Sequence, residues 1–300
     1  MESTNSREKL TGVSALILAA FFWGGEFVVE KDVLSYVEPN WSNAIRFAVA
    51  SLCCLTIWRK SFIRANREDW KKGLISGSLM GLGCAFQTMG LATINAGVNA
   101  FLCASYILVI PFVLWRIERK KPQGIIFISA VTAIIGIVIM SLNDFSPEDF
   151  SLGRGEILTL IGSICYAGGI VAVDYYAAAM DSKFLAGSQC IATFVIAIFM
   201  ALLIEEVPQT MSVRLTFEFV YLIVFSSLMA QLLFNYGMKY VSSGSAGALF
   251  LLESVSALFL GAIFLKEVIT LNQIMGSVLI IVAILLSNKP ALVGFSNNIR

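Results

Sequence analysis

The chain has 300 residues, of which 58% are hydrophobic and only 14% charged, with a formal net charge of +1 and a mean hydropathy of +0.82. A soluble globular chain carries about 25% charged residues, so this composition predicts a membrane protein. The even charge balance argues against a nucleic-acid partner, which needs a concentrated basic surface, and the lack of histidine removes imidazole metal and proton chemistry.

A hydrocarbon core about 30 Å thick takes roughly 20 apolar residues of helix to cross. Ten segments meet that need, near Leu10–Val29, Trp41–Trp58, Gly73–Leu91, Ala96–Trp115, Gly124–Leu142, Gly155–Ala177, Phe184–Ile204, Thr216–Gly237, Ser245–Leu265 and Leu271–Asn288. Arg7 and Lys9 before the first segment would suit a signal peptide, but the apolar run continues through Phe21-Phe22-Trp23 without a small-residue cleavage site, so a first span is expected. The fold class expected is an all-α polytopic membrane protein with ten transmembrane helices. The parts are a tail 1–9, five spans in 10–142, a linker 143–154, five spans in 155–288 and a tail 289–300.

Lysine and arginine collect on cytoplasmic loops. With the amino terminus inside, the inner side gathers Arg59, Lys60, Arg64, Arg67, Lys71, Lys72, Arg116, Arg119, Lys120, Lys121 and others, and the outer side holds only Lys31, Arg154, Arg214 and Lys266. Both termini are therefore expected in the cytoplasm, the protein being multi-pass in the inner (plasma) membrane. The six cysteines all lie in apolar runs without zinc-site or disulfide-framework spacing and read as small core residues.

The second half echoes the first. Trp23-Gly24-Gly25 has a counterpart in Tyr166-Ala167-Gly168-Gly169, Met89-Gly90 in Tyr236-Gly237, and Ala96-Gly97-Val98 in Ala246-Gly247-Ala248. Five is an odd number of spans, so a duplicated copy enters the bilayer from the opposite side. That predicts two inverted five-helix repeats, the arrangement of secondary transporters with a midplane site between the halves.

Ionisable groups inside spans cost about 2.5–3.5 kcal/mol on insertion scales and normally face a cavity or a partner. Glu253, eight residues into the ninth segment, is the deepest, and it suits a substrate amine or a coupling proton; a protonated glutamate bonded to a neighbouring helix is the structural alternative. Glu26 and Arg46 lie at similar depth in adjacent spans and suit an ion pair, either an outer gate, a cation-binding carboxylate released when Arg46 moves, or a plain structural contact, with outward snorkelling of Arg46 as the other reading. Asp174, followed by Tyr175 and Tyr176, reads as an interfacial anchor. Gln87, Asn99, Gln231 and Asn235 mark a polar path through the bilayer or helix-to-helix contacts. Trp23, Tyr106 and Phe250 offer faces to an apolar or cationic substrate, or simply pack. Pro111 is expected to kink the fourth span. Gly73, Gly77 and Gly81 form a small-residue stripe, an internal sliding contact or a homodimer face.

These features resemble the drug/metabolite transporter superfamily, in its ten-span form with two EamA domains. The resemblance is carried by Trp23-Gly24-Gly25-Glu26-Phe27-Val28, Arg46-Phe47, Gln87-Thr88-Met89-Gly90-Leu91, Asn95 to Leu102, Pro111, Leu252-Glu253, Gly261, Glu267 and Gly276. It implies a central cavity lined by spans three, four, eight and nine, and export of a small metabolite such as an amino acid or drug-like amphiphile. Two departures stand out. Ser254 replaces a proline common after the glutamate of span nine, so a helix break is not expected there, and Glu26 stands where small or polar residues are usual.

The partners expected are thus a small-molecule substrate and the lipid bilayer, with transport driven either by a coupling proton or, in a facilitative carrier, by the substrate's own gradient, and with no cofactor and no metal. No G-x-x-x-x-G-K-[ST] loop is present, which argues against direct ATP drive. Import or exchange of a nucleotide-like or cofactor-like metabolite is the alternative, disfavoured because Arg46 is the only deep basic residue. A membrane enzyme or receptor is a third reading, but no cluster of nucleophile, base or metal ligands supports an enzyme.

Overall fold

The computed structural model describes residues 2–119, 121–141, 152–208 and 212–297, and the regular structure in them is helical. The helices are α1 (Glu2–Val33), α2 (Pro39–Ile57), α3 (Arg59–Arg64), α4 (Arg67–Leu91), α5 (Ala96–Ala104), α6 (Tyr106–Glu118), α7 (Gly124–Ser141), α8 (Arg154–Ala177), α9 (Ser182–Ile204), α10 (Val213–Tyr221), α11 (Gln231–Gly237), α12 (Ser243–Phe264) and α13 (Leu271–Asn297). A π-helical segment, Leu222–Ala230, joins α10 to α11. Most of the expected linker 143–154 lies outside the described residues.

Local chemistry accounts for several boundaries. Pro39 opens α2, where its missing N–H would be unpaired in any case. Asn66 caps α4 by accepting from the Glu68 and Asp69 amides, while Asp69 accepts from the Asn66 amide, a reciprocal capping box. At the other end of the fourth and ninth spans, Arg119 and Lys266 adopt left-handed φ of 57° and 55°, a helix-terminating conformation usually given to glycine.

Seven helical runs are each long and apolar enough to cross a bilayer, two of them assembled from shorter pieces, Ala96–Glu118 and Val213–Gly237. Gly124–Met140 and Leu271–Leu286 are shorter apolar helices. The tenth segment is α2, 19 residues long, whose first half carries Asn40, Ser42, Asn43 and Arg46. Large apolar side chains such as Phe199, Leu202 and Leu203 on α9, and Phe259, Ile263 and Phe264 on α12, point outward, as lipid contact requires. The result is the ten-helix, two-repeat architecture.

The repeats interlock. The main packing partner of α1 is α12, of α2 is α9, of α4 is α8 followed by α9, and of α7 is α13. Each of these pairs joins one half to the other, so the core belongs to both halves together.

Close approach explains the glycine stripe. A Cβ at Gly77 would sit 2.8 Å from both the Gln189 Cα and the Ala192 Cβ, and one at Gly81 2.9 Å from the Thr193 Cα, so the stripe seats α4 directly on α9. It is an internal contact.

Three expectations change. The fourth span is interrupted at Ser105, between α5 and α6, whereas α6 runs on through Pro111. At Ser105 the hydroxyl bonds the Leu102 carbonyl (2.6 Å) and the Ser163 hydroxyl (2.9 Å), which stabilises the break locally. Asp174 does more than anchor an interface: its Oδ2 accepts from the amide and hydroxyl of Ser243, capping α12 (3.0 and 2.6 Å). Helix also continues through residues read as tails, from Glu2 and up to Asn297. As expected from Ser254, α12 is unbroken, and the Ser254 hydroxyl donates to the Ala100 carbonyl at 2.9 Å.

Candidate functional site: a cavity between the repeats

A cavity of ≈ 70 Å³ lies between the repeats. It receives Trp23, Glu26 and Phe27 from α1, Arg46 and Phe47 from α2, Met80, Cys84 and Gln87 from α4, and Cys103 and Tyr106 around the break in the fourth span. The second repeat adds Tyr166 and Ile170 from α8, Gln189 and Thr193 from α9, Ser226, Gln231 and Phe234 from the eighth span, and Phe250 and Glu253 from α12. Spans three, four, eight and nine do line it, and spans one, two, six and seven join them.

Arg46 is the electrostatic centre. It is 1% exposed, and its guanidinium is fully engaged: Nη1 donates to Glu26 Oε1 (2.6 Å), Nε to Asn43 Oδ1 (3.1 Å) and Nη2 to Cys84 Sγ (3.1 Å). The Phe47 ring stacks 4.8 Å from its Cζ. Snorkelling is thereby ruled out in favour of pairing. The second oxygen of Glu26 accepts from the Ser226 hydroxyl, tying the pair to the π-helical segment. A π-helix shifts the register of the side chains that follow it, and such segments recur at functional sites. Here it presents Ser226 and, just beyond it, Gln231 to the cavity.

Glu253 is the counterpoint. It is 8% exposed, lines the cavity, and makes no hydrogen bond or ion pair among the described residues. Around the same space stand Trp23, Phe234 and Phe250, with ring centroids 5.4–5.9 Å apart, and Tyr106 at 6.4 Å from both Phe250 and Tyr166. Tilted rings at these separations leave faces and edges available to a ligand as well as to each other.

Eight of the residues singled out by sequence share this cavity: Trp23, Glu26, Arg46, Gln87, Tyr106, Gln231, Phe250 and Glu253. Asn99 and Asn235 do not reach its wall. Asn99 accepts from Gln87 Nε2 (2.9 Å) and donates to the Thr159 hydroxyl (2.7 Å), and Asn235 Nδ2 donates to Gln189 Oε1 (2.7 Å). Both therefore hold a cavity glutamine from behind. Such bonds between membrane helices contribute about 0.6 kcal/mol on average, enough to fix an amide's direction.

Sequence reasoning missed Gln189, Thr193, Tyr166, Ser226 and Glu30. A usable signal existed for two of the spans, because Glu26 and Glu30, like Gln189 and Thr193, are four residues apart and share one helix face.

On the side where α1 ends, cross-helix bonds close the structure. Lys31 Nζ donates to the Leu91 and Ala92 carbonyls (2.8 and 3.2 Å), Glu205 accepts from the Asn40 and Trp41 amides (2.9 Å each), and Glu267 accepts from the Ala96 amide (2.8 Å). On the opposite side Ser61 donates to Asp181 (2.7 Å) and Tyr175 to Glu118 (2.8 Å).

The profile of the EamA-like transporter family matches residues 10–142 and 153–289. The chain belongs to that family. Among similar proteins, an uncharacterized transporter of Archaeoglobus fulgidus is 26% identical over 280 residues, spanning 90% of this chain and 83% of the relative. An uncharacterized transporter of Clostridium kluyveri is 28% identical over 303 residues, 93% and 94% of the two chains. A solved crystal structure superposes with a TM-score of 0.67 at 15% identity, covering 95% of this chain and 98% of that one, a likeness of fold alone. This EamA-family chain is accordingly a multi-pass membrane transporter.

Proposed function

We propose that this transporter is a secondary carrier that exports a small amphiphilic metabolite of the amino-acid class across the inner membrane by alternating access, with both termini cytoplasmic. The observation that carries this reading is Glu253, a buried carboxylate without a partner beside an aromatic cluster. A substrate ammonium over those rings gains a cation–π attraction of about 2 kcal/mol when desolvated, and the carboxylate supplies the charge it needs. The amides of Gln87, Gln189 and Gln231 offer neutral hydrogen bonds to the rest of the molecule.

Size supports a small substrate. Pockets for drug-sized ligands measure about 300–1,000 Å³, several times the ≈ 70 Å³ of this cavity. Charge disfavours the nucleotide-like alternative, since among the described residues Arg46 is the only basic one on the cavity wall and two carboxylates already flank it. A phosphate there would face Glu26 and Glu253 as well.

The test is exchange of labelled amino acids and amines in proteoliposomes, with everted vesicles reporting direction. Removing the charge with Glu253→Gln should reduce exchange of ammonium-bearing substrates about tenfold or more, the loss of one charge-assisted contact. Phe250→Ala should raise KM. Wild-type rates for Glu253→Gln with every substrate that the parent carries would defeat the assignment.

A further inference from the structure

One turn beyond Glu26 toward the end of α1, Glu30 is 1% exposed, and neither of its carboxyl oxygens has a hydrogen-bond donor among the described residues. Its Oε2 lies 3.7 Å from Arg46 Nη1, the same nitrogen that donates to Glu26 at 2.6 Å. One guanidinium thus serves two carboxylates set one helical turn apart, and it is bonded to only one of them.

Among the described residues the surroundings supply no second cation. From α1 comes Glu26; from α2, Arg46, with the Ser42 hydroxyl beside Glu30 but outside hydrogen-bond geometry; from α4, the Cys84 thiol, which is taken up by Arg46 and Asn43; from the eighth span, Tyr221, whose hydroxyl donates to the Phe22 carbonyl, and Ser226 on Glu26. Lys31, next in sequence, spends its ammonium on the carbonyls of Leu91 and Ala92. If both carboxylates were ionised, the buried cluster would carry an uncompensated negative charge, which a low-dielectric interior strongly disfavours.

A second observation points to a route for a neutralising ion. Asn40 Oδ1, Ser42 Oγ and Asn43 Nδ2, all in the first turns of α2, are buried without hydrogen-bond partners. Buried polar atoms of this kind are normally satisfied by internal water, and Ser42 among them stands beside Glu30. The neutralising ion is a proton in preference to sodium, because a metal ion on Glu30 would sit beside the guanidinium charge, whereas a proton converts the carboxylate to a neutral acid.

We propose that Glu30 is the proton-carrying group of this transporter: it is protonated while Arg46 pairs with Glu26, and loss of its proton to water draws Arg46 across and frees Glu26. Reprotonation from water at Glu30 returns the guanidinium to Glu26, so one proton is exchanged per cycle and Arg46 keeps its charge throughout. Glu26, once released, carries a negative charge facing the cavity, which links proton release to binding of a cationic group. Only that last link rests on the substrate reading given above.

The direct test needs no substrate. Infrared difference spectra of the purified protein in liposomes, recorded between acid and alkaline buffers in water and in deuterium oxide, report the C=O stretch of any protonated carboxyl. Wild type should show a titrating band that shifts in deuterium oxide, Glu30→Gln should lack that component, Glu253→Gln should keep it, and Glu26→Gln, which frees Arg46 to pair with Glu30, should move its titration to lower pH. A band untouched by Glu30→Gln overturns the proposal, as does a wild-type band that appears only when sodium is replaced by choline, which would make the site a cation site. Should Glu30→Gln fail to fold, Glu30→Asp provides a second variant, whose band should persist at a shifted frequency; an unshifted band overturns the assignment. In proteoliposomes, Glu30→Gln should lose acceleration of amino-acid exchange by an imposed pH gradient, and retained acceleration also overturns the proposal. If wild type exchanges no amino acid, the substrate reading falls while the infrared result stands.

Discussion

Lys31 sits where a gate should be, and replacing it by methionine isolates its hydrogen bonds from its bulk. α1 and α4 contribute opposite parts of the cavity wall, yet α1 packs mainly on α12 and α4 on α8 and α9. The Lys31 ammonium bridges them at the end where both helices finish, through the carbonyls of Leu91 and Ala92 at 2.8 and 3.2 Å. Opening the cavity on that side by separating α1 from α4 breaks this bridge. Hydrogen bonds to charged groups contribute about 1.5–3 kcal/mol net. Lys31 is only half buried and its ammonium is rehydrated in the open state, so the lower end, about 1.5 kcal/mol, applies to the pair. Since about 1.4 kcal/mol is tenfold in an equilibrium constant, Lys31→Met should raise the open-to-closed ratio roughly tenfold. Cys103, on the cavity wall and 3% exposed, is the reporter. With the other five cysteines replaced and Cys84 changed to serine to keep a polar partner for Arg46, the rate of labelling by an impermeant maleimide, applied to each face in turn, follows the open population. A rate that rises about tenfold from one face is the expected outcome. Equal rates for Lys31→Met and its parent from both faces would show that opening leaves the bridge intact, and the gate would have to lie elsewhere.

Gly77→Val should destabilise the fold by about 1–3 kcal/mol, the cost of overpacking a tight contact, because even a Cβ there lies 2.8 Å from Gln189 Cα; thermal unfolding in detergent measures it, and an unchanged oligomeric state alongside confirms that the stripe faces inward. Asp181 gives a pH signature outside the bilayer. Burial pulls its carboxyl upward, but the Ser61 hydroxyl, the Lys183 amide and the charges of Lys239 and Lys183 outweigh it and hold the group below its ordinary value of 3.8. A lowered folded value stabilises the protein above the unfolded value and is lost as pH falls through the folded one. Wild type should therefore melt higher than Asp181→Asn at neutral pH, with the two converging below 3.8; a difference that persists in acid would refute the linkage. Glu267→Ala removes the acceptor of the Ala96 amide at the start of α5 and should cost about 1 kcal/mol, the usual value of a helix cap, read from the same melts.

The carboxylates show how far a sequence reaches. Glu26, Arg46 and Glu253 were legible because an ionisable group inside an apolar run is conspicuous wherever the chain folds. Glu30 was not, since it falls at the predicted edge of its span, and only the tertiary structure shows it buried beside Arg46. Asn99 and Asn235 were equally conspicuous and turned out to stand behind the wall, because the rotation of a helix about its axis is set by the neighbour it packs on. For the same reason Gln189 and Tyr166, ordinary by composition, became part of the site.

What the sequence by itself determined was the number and position of the apolar segments, and with them the ten-helix inverted duplication. Crossing a bilayer is a requirement on consecutive residues, met or failed locally by about 20 of them. Where the fourth span breaks, which surface the glycine stripe meets, and which carboxylate Arg46 holds were decided by the tertiary structure. Each depends on atoms brought together from distant parts of the chain, as when Ser163 reaches Ser105, Gln189 meets Gly77, and Ser226 takes the second oxygen of Glu26.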